Sequence, residues 1–205
     1  LGEVHLRRGD LAAAIAVLER DVHLCEAAEI LTMYASAAPC LGVAYALSGR
    51  VSEALPLLEG AVEHGAKGTG DLAWQMAVTG EGYLLAGDID NATRFADRSL
   101  RLARDARERG NEAQAQRLLG AIASRRDPPQ VARAKDHYHR ALALADELGL
   151  RPLLAHCHFG LGALHRRTGE REQAREHTET ARTMFGEMEM LHWRERAEMA
   201  MTELE

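Results

Sequence analysis

The chain has 205 residues, a formal net charge of −6 and a sequence pI near 5.9. That balance argues against a general nucleic-acid binder, which carries a basic footprint, and offers no attraction to anionic lipid. It is 46% hydrophobic but only 4% aromatic, so its core must come from Leu, Ala and Val, which suits closely packed helices.

In chain order, helices are predicted near 1–8 and 11–28, 32–48 and 51–65, 71–86 and 89–109, 111–125 and 130–148, 152–168 and 171–185. A last helix near 188–203, bearing Trp193, is expected to cap the array. Leu1-Gly2, Leu41-Gly42, Thr79-Gly80, Leu119-Gly120 and Leu161-Gly162 open five similar blocks. Their glycines lie 40, 38, 40 and 42 residues apart. Three residues past each glycine stands His5, Tyr45, Tyr83, Ala123 or His165, and four further on a second glycine, Gly9, Gly49, Gly87 or Gly169. The fourth block has RRDPPQ, Arg125 to Gln130, in place of that turn. Downstream come Ala14, Ala54, Ala92, Ala134 and Ala174. Four residues past these stand Leu18, Leu58, Ala96, Tyr138 and Thr178, and three further Asp21, Ala61, Ser99, Ala141 and Ala181.

Each block reads as a helix, a tight turn and a second, antiparallel helix. The second glycine falls where a left-handed C-cap is needed. Asp10, Ser52, Asp88 and Glu170 suit the N-cap or first turn of the following helix, and Asp127 with Pro128 does so in the fourth block. Asn111 with Gln114 has capping-box spacing, Pro152 suits a first turn, and Pro39 implies a late start or a bend. A helical glycine costs about 1 kcal/mol relative to alanine. Close packing against the alanines of the partner helix is expected to offset that cost.

The pattern resembles the tetratricopeptide repeat over nearly the whole chain, with a period of about 40 in place of the family's 34. The excess reads as longer helices. The resemblance implies an all-α solenoid, a right-handed superhelix of about five repeats: cores near 1–28, 32–65, 71–109, 111–148 and 152–185, a capping helix, one domain over 1–205. The opening LGEVHLRRGD starts inside the pattern and reads as part of a longer protein. Arg151 to Glu198, and Arg125 to Gly149, resemble the C-terminal tails of bacterial signalling proteins in which a nucleotide cyclase or other output domain precedes a regulatory ATPase domain. That resemblance implies a cytoplasmic regulatory arm whose catalytic parts lie upstream.

Motifs for chemistry are weak. GAKGTG, Gly65 to Gly70, lacks the terminal Lys-Ser/Thr pair and preceding strand of a phosphate loop, and reads as an inter-repeat turn and linker. His156 and His158 point apart on a helix; His158 and His165 share a face, but further metal ligands are not evident. Cys25, Cys40 and Cys157 suit neither a disulfide framework nor a zinc site, which fits a reducing cytoplasm. No apolar run approaches the ~20 residues of a membrane span. No catalytic motif, metal or cofactor is expected, and the chain is not read as an enzyme.

By the resemblance, the first helix of each pair lines a concave groove. Its candidates are Glu3, Leu6, Arg7, Val43, Leu47, Trp74, Ala77, Glu81, Leu84, Gln114, Arg117, Arg125, His156, Phe159, Ala163, Arg166 and Arg167. Trp74 and Phe159 would anchor an apolar side chain, and Arg117, Arg125 and Arg166 would pair with carboxylates of a bound segment. Core aromatics and solvated arginines are the plainer alternative. The expected partner is a protein or peptide, or the protein's own ATPase domain, with neither nucleic acid nor membrane. A small-ligand sensor and a scaffold that forms homodimers through its last helix are the alternatives.

Overall fold

The computed structural model describes residues 1–65 and 72–204, with backbone alone at 63–65. Among the described residues there are eleven helices and no strand. They are α1 (Gly2–Arg8), α2 (Leu11–Ala27), α3 (Leu31–Leu47), α4 (Val51–Gly65), α5 (Leu72–Leu85), α6 (Ile89–Asp105), α7 (Arg109–Arg125), α8 (Val131–Glu147), α9 (Arg151–Thr168), α10 (Arg171–Glu187) and α11 (Leu191–Thr202). The chain divides into two compact units, Leu1–Ala106 and Arg107–Glu205. The first holds the pairs α1–α2, α3–α4 and α5–α6; the second holds α7–α8, α9–α10 and the terminal α11.

The turns inside the pairs follow the sequence rule. Gly9, Gly49, Gly87 and Gly169 all have φ between 79° and 86°, the left-handed region that only glycine enters without strain. Asp10 and Asp88 cap the next helix by accepting from the backbone N–H of Ala13 and Asn91. Pro152 sits in the first turn of α9 as expected.

Other local expectations are corrected. α6 ends at Asp105, four residues early, because Arg107 turns left-handed at φ 58°. The next helix starts at Arg109, with Glu108 at its N-cap and Asn111 in its first turn. Asn111 donates its side-chain amide to Glu108, so Asn111 and Gln114 form no capping box. In the fourth block Gln130, not Asp127, holds the N-cap of α8. Arg126 leaves α7 in an extended conformation, which places Pro128 before the helix. α3 runs through Pro39, fully buried, and does not start late. The GAKGTG turn lies, past Gly65, outside the described residues.

The packing of the motif glycines also differs from the expectation. Gly2, Gly42, Gly120 and Gly162 face first the residue one turn beyond the alanine, Leu18, Leu58, Tyr138 and Thr178. A Cβ at Gly42 would lie 2.9 Å from Leu58 Cδ2, with the Ala54 carbonyl behind at 3.4 Å. A Cβ at Gly82, in the next pair, would lie 2.6 Å from the same Leu58 methyl. Leu58 therefore fills a socket between two glycines, fully buried. Tyr138 does the same between Gly120 and Gly160, and burial pushes its phenol up to about 12. Ala14, Ala54, Ala92, Ala134 and Ala174 are all fully buried, so the backbones approach closely.

Candidate functional site

The first unit carries a cavity of about 840 Å³ walled by the start of α1, the second half of α2, the first half of α3 and the first turn of α5. Leu18, Leu24, Cys25 and Ala28 form one wall, and Met33, Ala35, Ala37 and Cys40 another. Trp74 and Gln75 close the side. Its polar groups are few. Gln75 donates to the Ser36 hydroxyl at 3.0 Å, and Glu3 accepts from Arg7 at 2.7 Å. Asp21, half-buried, presents the other carboxylate. The rim is apolar and open: Leu24 is 53% exposed and Met33 60%.

Both cavity cysteines are held as thiols. Burial first, then Asp21 and Glu26, raises the Cys25 thiol. Burial, reinforced by Glu3, pushes Cys40 up to about 12. Neither has the thiolate character that nucleophilic chemistry needs.

The structure thus brings Glu3 and Trp74, predicted from sequence, to one cavity. Arg7 is exposed and paired with Glu3, and Glu81 is half-buried on α5. The second unit treats its candidates differently. Arg117 is buried at 9% exposure, close enough to Tyr138 and Cys157 for its charge to offset part of the rise that burial gives both groups. His156 meets Phe185 and Trp193 edge-on, with ring centroids 5.1 and 4.6 Å apart. Phe159 packs edge-on to Phe185 at 6.2 Å. These rings join α11 to α9 and α10 as a terminal core. Arg166 pairs with Glu203, Arg167 donates to the Ser124 carbonyl, Gln114 is half-buried and Arg125 is exposed.

The histidines of α9 gather differently from their spacing. His158 and His177 share a hydrogen bond between Nδ1 atoms at 2.9 Å, and His165 stacks on His177 at 5.4 Å. His165 also meets Glu170, which accepts from Lys135 at 3.0 Å. His137 instead bonds Gln116 at 2.7 Å. Among the described residues, no three His, Cys, Asp or Glu side chains are arranged to hold a metal ion. No described helix is long and apolar enough to cross a membrane.

Two stretches, residues 1–20 and 155–180, match the family model described as tetratricopeptide repeat. The solved structure of BtubC (BKLC) from P. vanneervenii is similar in fold, with a TM-score of 0.63. The match covers 95% of this chain and 82% of that one at 17% identity. No curated protein matches. The fold is a TPR-like helical repeat.

Within the TPR-like pairs, sequence reasoning missed the walls supplied by α2 and the start of α3. The available signal was the cluster Leu24, Ile30, Leu31 and Met33, four large apolar residues around one turn, each 40% exposed or more. It also missed a further regularity. Seven residues before the motif glycine stands Ala35, Ala73, Ala113 or Ala155, each 3% exposed or less. This alanine rests on the partner helix: Ser99 of α6 donates to the Ala73 carbonyl at 2.7 Å, and Ala155 clusters with Ala181 and Phe185 of α10.

Proposed function

We propose that this chain is a protein-interaction module and that the cavity beside Trp74 is where it grips a segment of its partner. TPR repeats generally mediate protein–protein interaction. The observation that carries the reading is an open apolar cavity, rimmed by exposed Leu24 and Met33, with the half-buried indole of Trp74 at its wall. Such a hollow with one aromatic anchor and a few polar groups suits a binding hot spot. The matched family is a repeat, with no catalytic role attached to it.

The resemblance of Arg151 to Glu198 to cyclase–ATPase tails extends the proposal. The module would be a regulatory arm of a bacterial cytoplasmic signalling protein, its partner segment drawn from that protein's ATPase domain or from a second protein. Its effect would follow from different contacts in the off and on states.

The test is to pan a random twelve-residue peptide library against the wild-type protein and a Trp74→Ala variant of unchanged circular dichroism. Peptides enriched on the wild type and at least tenfold weaker on the variant support the reading; enrichment on neither protein overturns it. A second reading, a small-ligand sensor, draws on the cavity volume, which lies within the ~300–1,000 Å³ of small-molecule sites. A thermal-shift screen against small apolar molecules separates the two.

A further inference from the structure

The fourth and fifth pairs, both in the second unit, are joined by a polar contact at the same register. Gln116, four residues before Gly120, bonds His137, the residue before Tyr138, at 2.7 Å. His158, four residues before Gly162, bonds His177, the residue before Thr178, at 2.9 Å. In the second and third pairs the same register holds Ala38 with Leu57 and Met76 with Phe95. A pair therefore packs without imidazoles at this place, and apolar side chains there supply burial energy that a polar contact forgoes. Of these four pairs, the last alone sets two imidazoles against each other.

The two rings meet through their Nδ1 atoms. At most one proton lies between those nitrogens, so at least one of them presents a bare lone pair to the other ring. A neutral imidazole carries its proton on either nitrogen. With both protons on Nε2, the two Nδ1 lone pairs converge on the space between α9 and α10. Neutral imidazole nitrogens of this kind are the commonest protein ligands of metal ions. The rings are also braced. His165 stacks on His177 with 6° between the planes, and His165 in turn meets Glu170, which accepts from Lys135 of α8. Outer contacts that fix ring orientation are what a ligating histidine needs. Of the charged and titratable groups around His177, exposed Glu176 acts on both imidazoles and favours a cation there. His165 and His139 of α8 are further imidazoles, and the Lys135 charge is matched by Glu170.

The spacing of the nitrogens selects among ions. Metal–imidazole bonds are about 2.0–2.1 Å, so nitrogens 2.9 Å apart subtend roughly 90° at the ion, where a tetrahedral ion would need roughly 3.3–3.4 Å. Right angles belong to square-planar and octahedral ions, copper(II) and nickel(II) among them. We propose that His158 and His177 form a binding site for a divalent copper or nickel ion, which bridges α9 and α10 through the two Nδ1 atoms. The ion takes the place of the shared proton, which moves to Nε2 of the ring that donated it. Water fills the remaining positions, since no third His, Cys, Asp or Glu among the described residues is arranged to complete the set.

The experiment uses the full chain, free of any polyhistidine tag and stripped of metal with a chelator. Calorimetric titration with NiCl2 at pH 7.5 should show one site of micromolar affinity, and MgCl2 none. His158→Gln and His177→Gln should each weaken that site at least tenfold. His137→Gln, at the matching register of the fourth pair, should change it less than twofold. Because the ion ties two helices of the folded state, NiCl2 should raise Tm in the wild type and in His137→Gln but not in the other two variants. In the unsubstituted protein with one equivalent of CuCl2, electron paramagnetic resonance should show coupling to two nitrogens, a reading that does not depend on how any variant folds. Coupling to fewer than two nitrogens overturns the proposal, as does the absence of nickel binding. Binding that survives both His158→Gln and His177→Gln, or that His137→Gln weakens as much, overturns it in favour of scattered histidine contacts.

Discussion

Glu29 has φ 54°, a left-handed conformation that costs an ordinary residue about 1–2 kcal/mol. It follows α2, and the Ile30 N–H bonds back to the Cys25 carbonyl at 2.9 Å. Gly149 makes the same turn after α8, with Leu150 bonding to Ala145 at 2.8 Å. Glu29→Gly should therefore stabilise the protein by about 0.5–1 kcal/mol, the gain trimmed by the freer unfolded chain. Urea unfolding measures it, and a lower midpoint at unchanged slope would contradict the account. The contrast shows what the sequence makes legible. The turns at Gly9, Gly49, Gly87 and Gly169 can be read because the residue type advertises its φ. The turns at Glu29, Arg107 and Glu189 cannot, since exposed residues of ordinary type stand there and their type gives no sign of a positive φ.

Between elements, the informative residue is Leu58. The two glycines around it belong to different pairs, so one leucine registers α4 against both α3 and α5. Gly82→Ala gains about 1 kcal/mol in helix propensity. It also drives a methyl into a side chain with no room to move, an overpacking cost of about 1–3 kcal/mol. The net effect should be destabilising. Leu58→Ala alone should cost about 2–5 kcal/mol by opening a cavity. In the Leu58→Ala background, Gly82→Ala should turn neutral or stabilising, and a double-mutant cycle in urea reads that coupling. Additive effects would mean that the socket is not what demands glycine. Phased glycines were visible in the sequence, but their partner was not. Spacing places Gly42 opposite a turn of α4 without saying whether Ala54 or Leu58 meets it; the lean of side chains along a helix decides.

At the scale of the molecule, helical periodicity and turn glycines carried the fold, because the helix-pair architecture is written in small residues that nothing else explains. The candidate site was only half legible. Trp74 and Glu3 line the cavity, yet Phe159 and His156 went into the terminal core, because an aromatic on a helix does not reveal which neighbour will cover it. The histidines give a prediction for the whole chain's stability. Burial first, then the charges of His158, His165 and His139, pushes His177 down to about 4, against the pull of Glu176. Burial lowers His158 as well. The unfolded chain takes these protons near pH 6.5, the native protein only at lower pH. Between those limits the unfolded state binds more protons, so stability is full above about 6.5 and falls as pH drops toward 4. Glu170 acts in the same direction at lower pH. Its carboxyl is held down by Lys135 and then His165, and that contribution is lost as it protonates. His177 is only partly buried, so solvent screens part of the effect. Thermal unfolding from pH 7.5 to 5 should show Tm falling, by about 2–4 °C for each kcal/mol lost. His177→Gln should flatten that fall while leaving Tm at pH 7.5 nearly unchanged. An equally steep fall in the variant would place the proton uptake elsewhere, at His158 or at His192 on α11, both of which burial lowers.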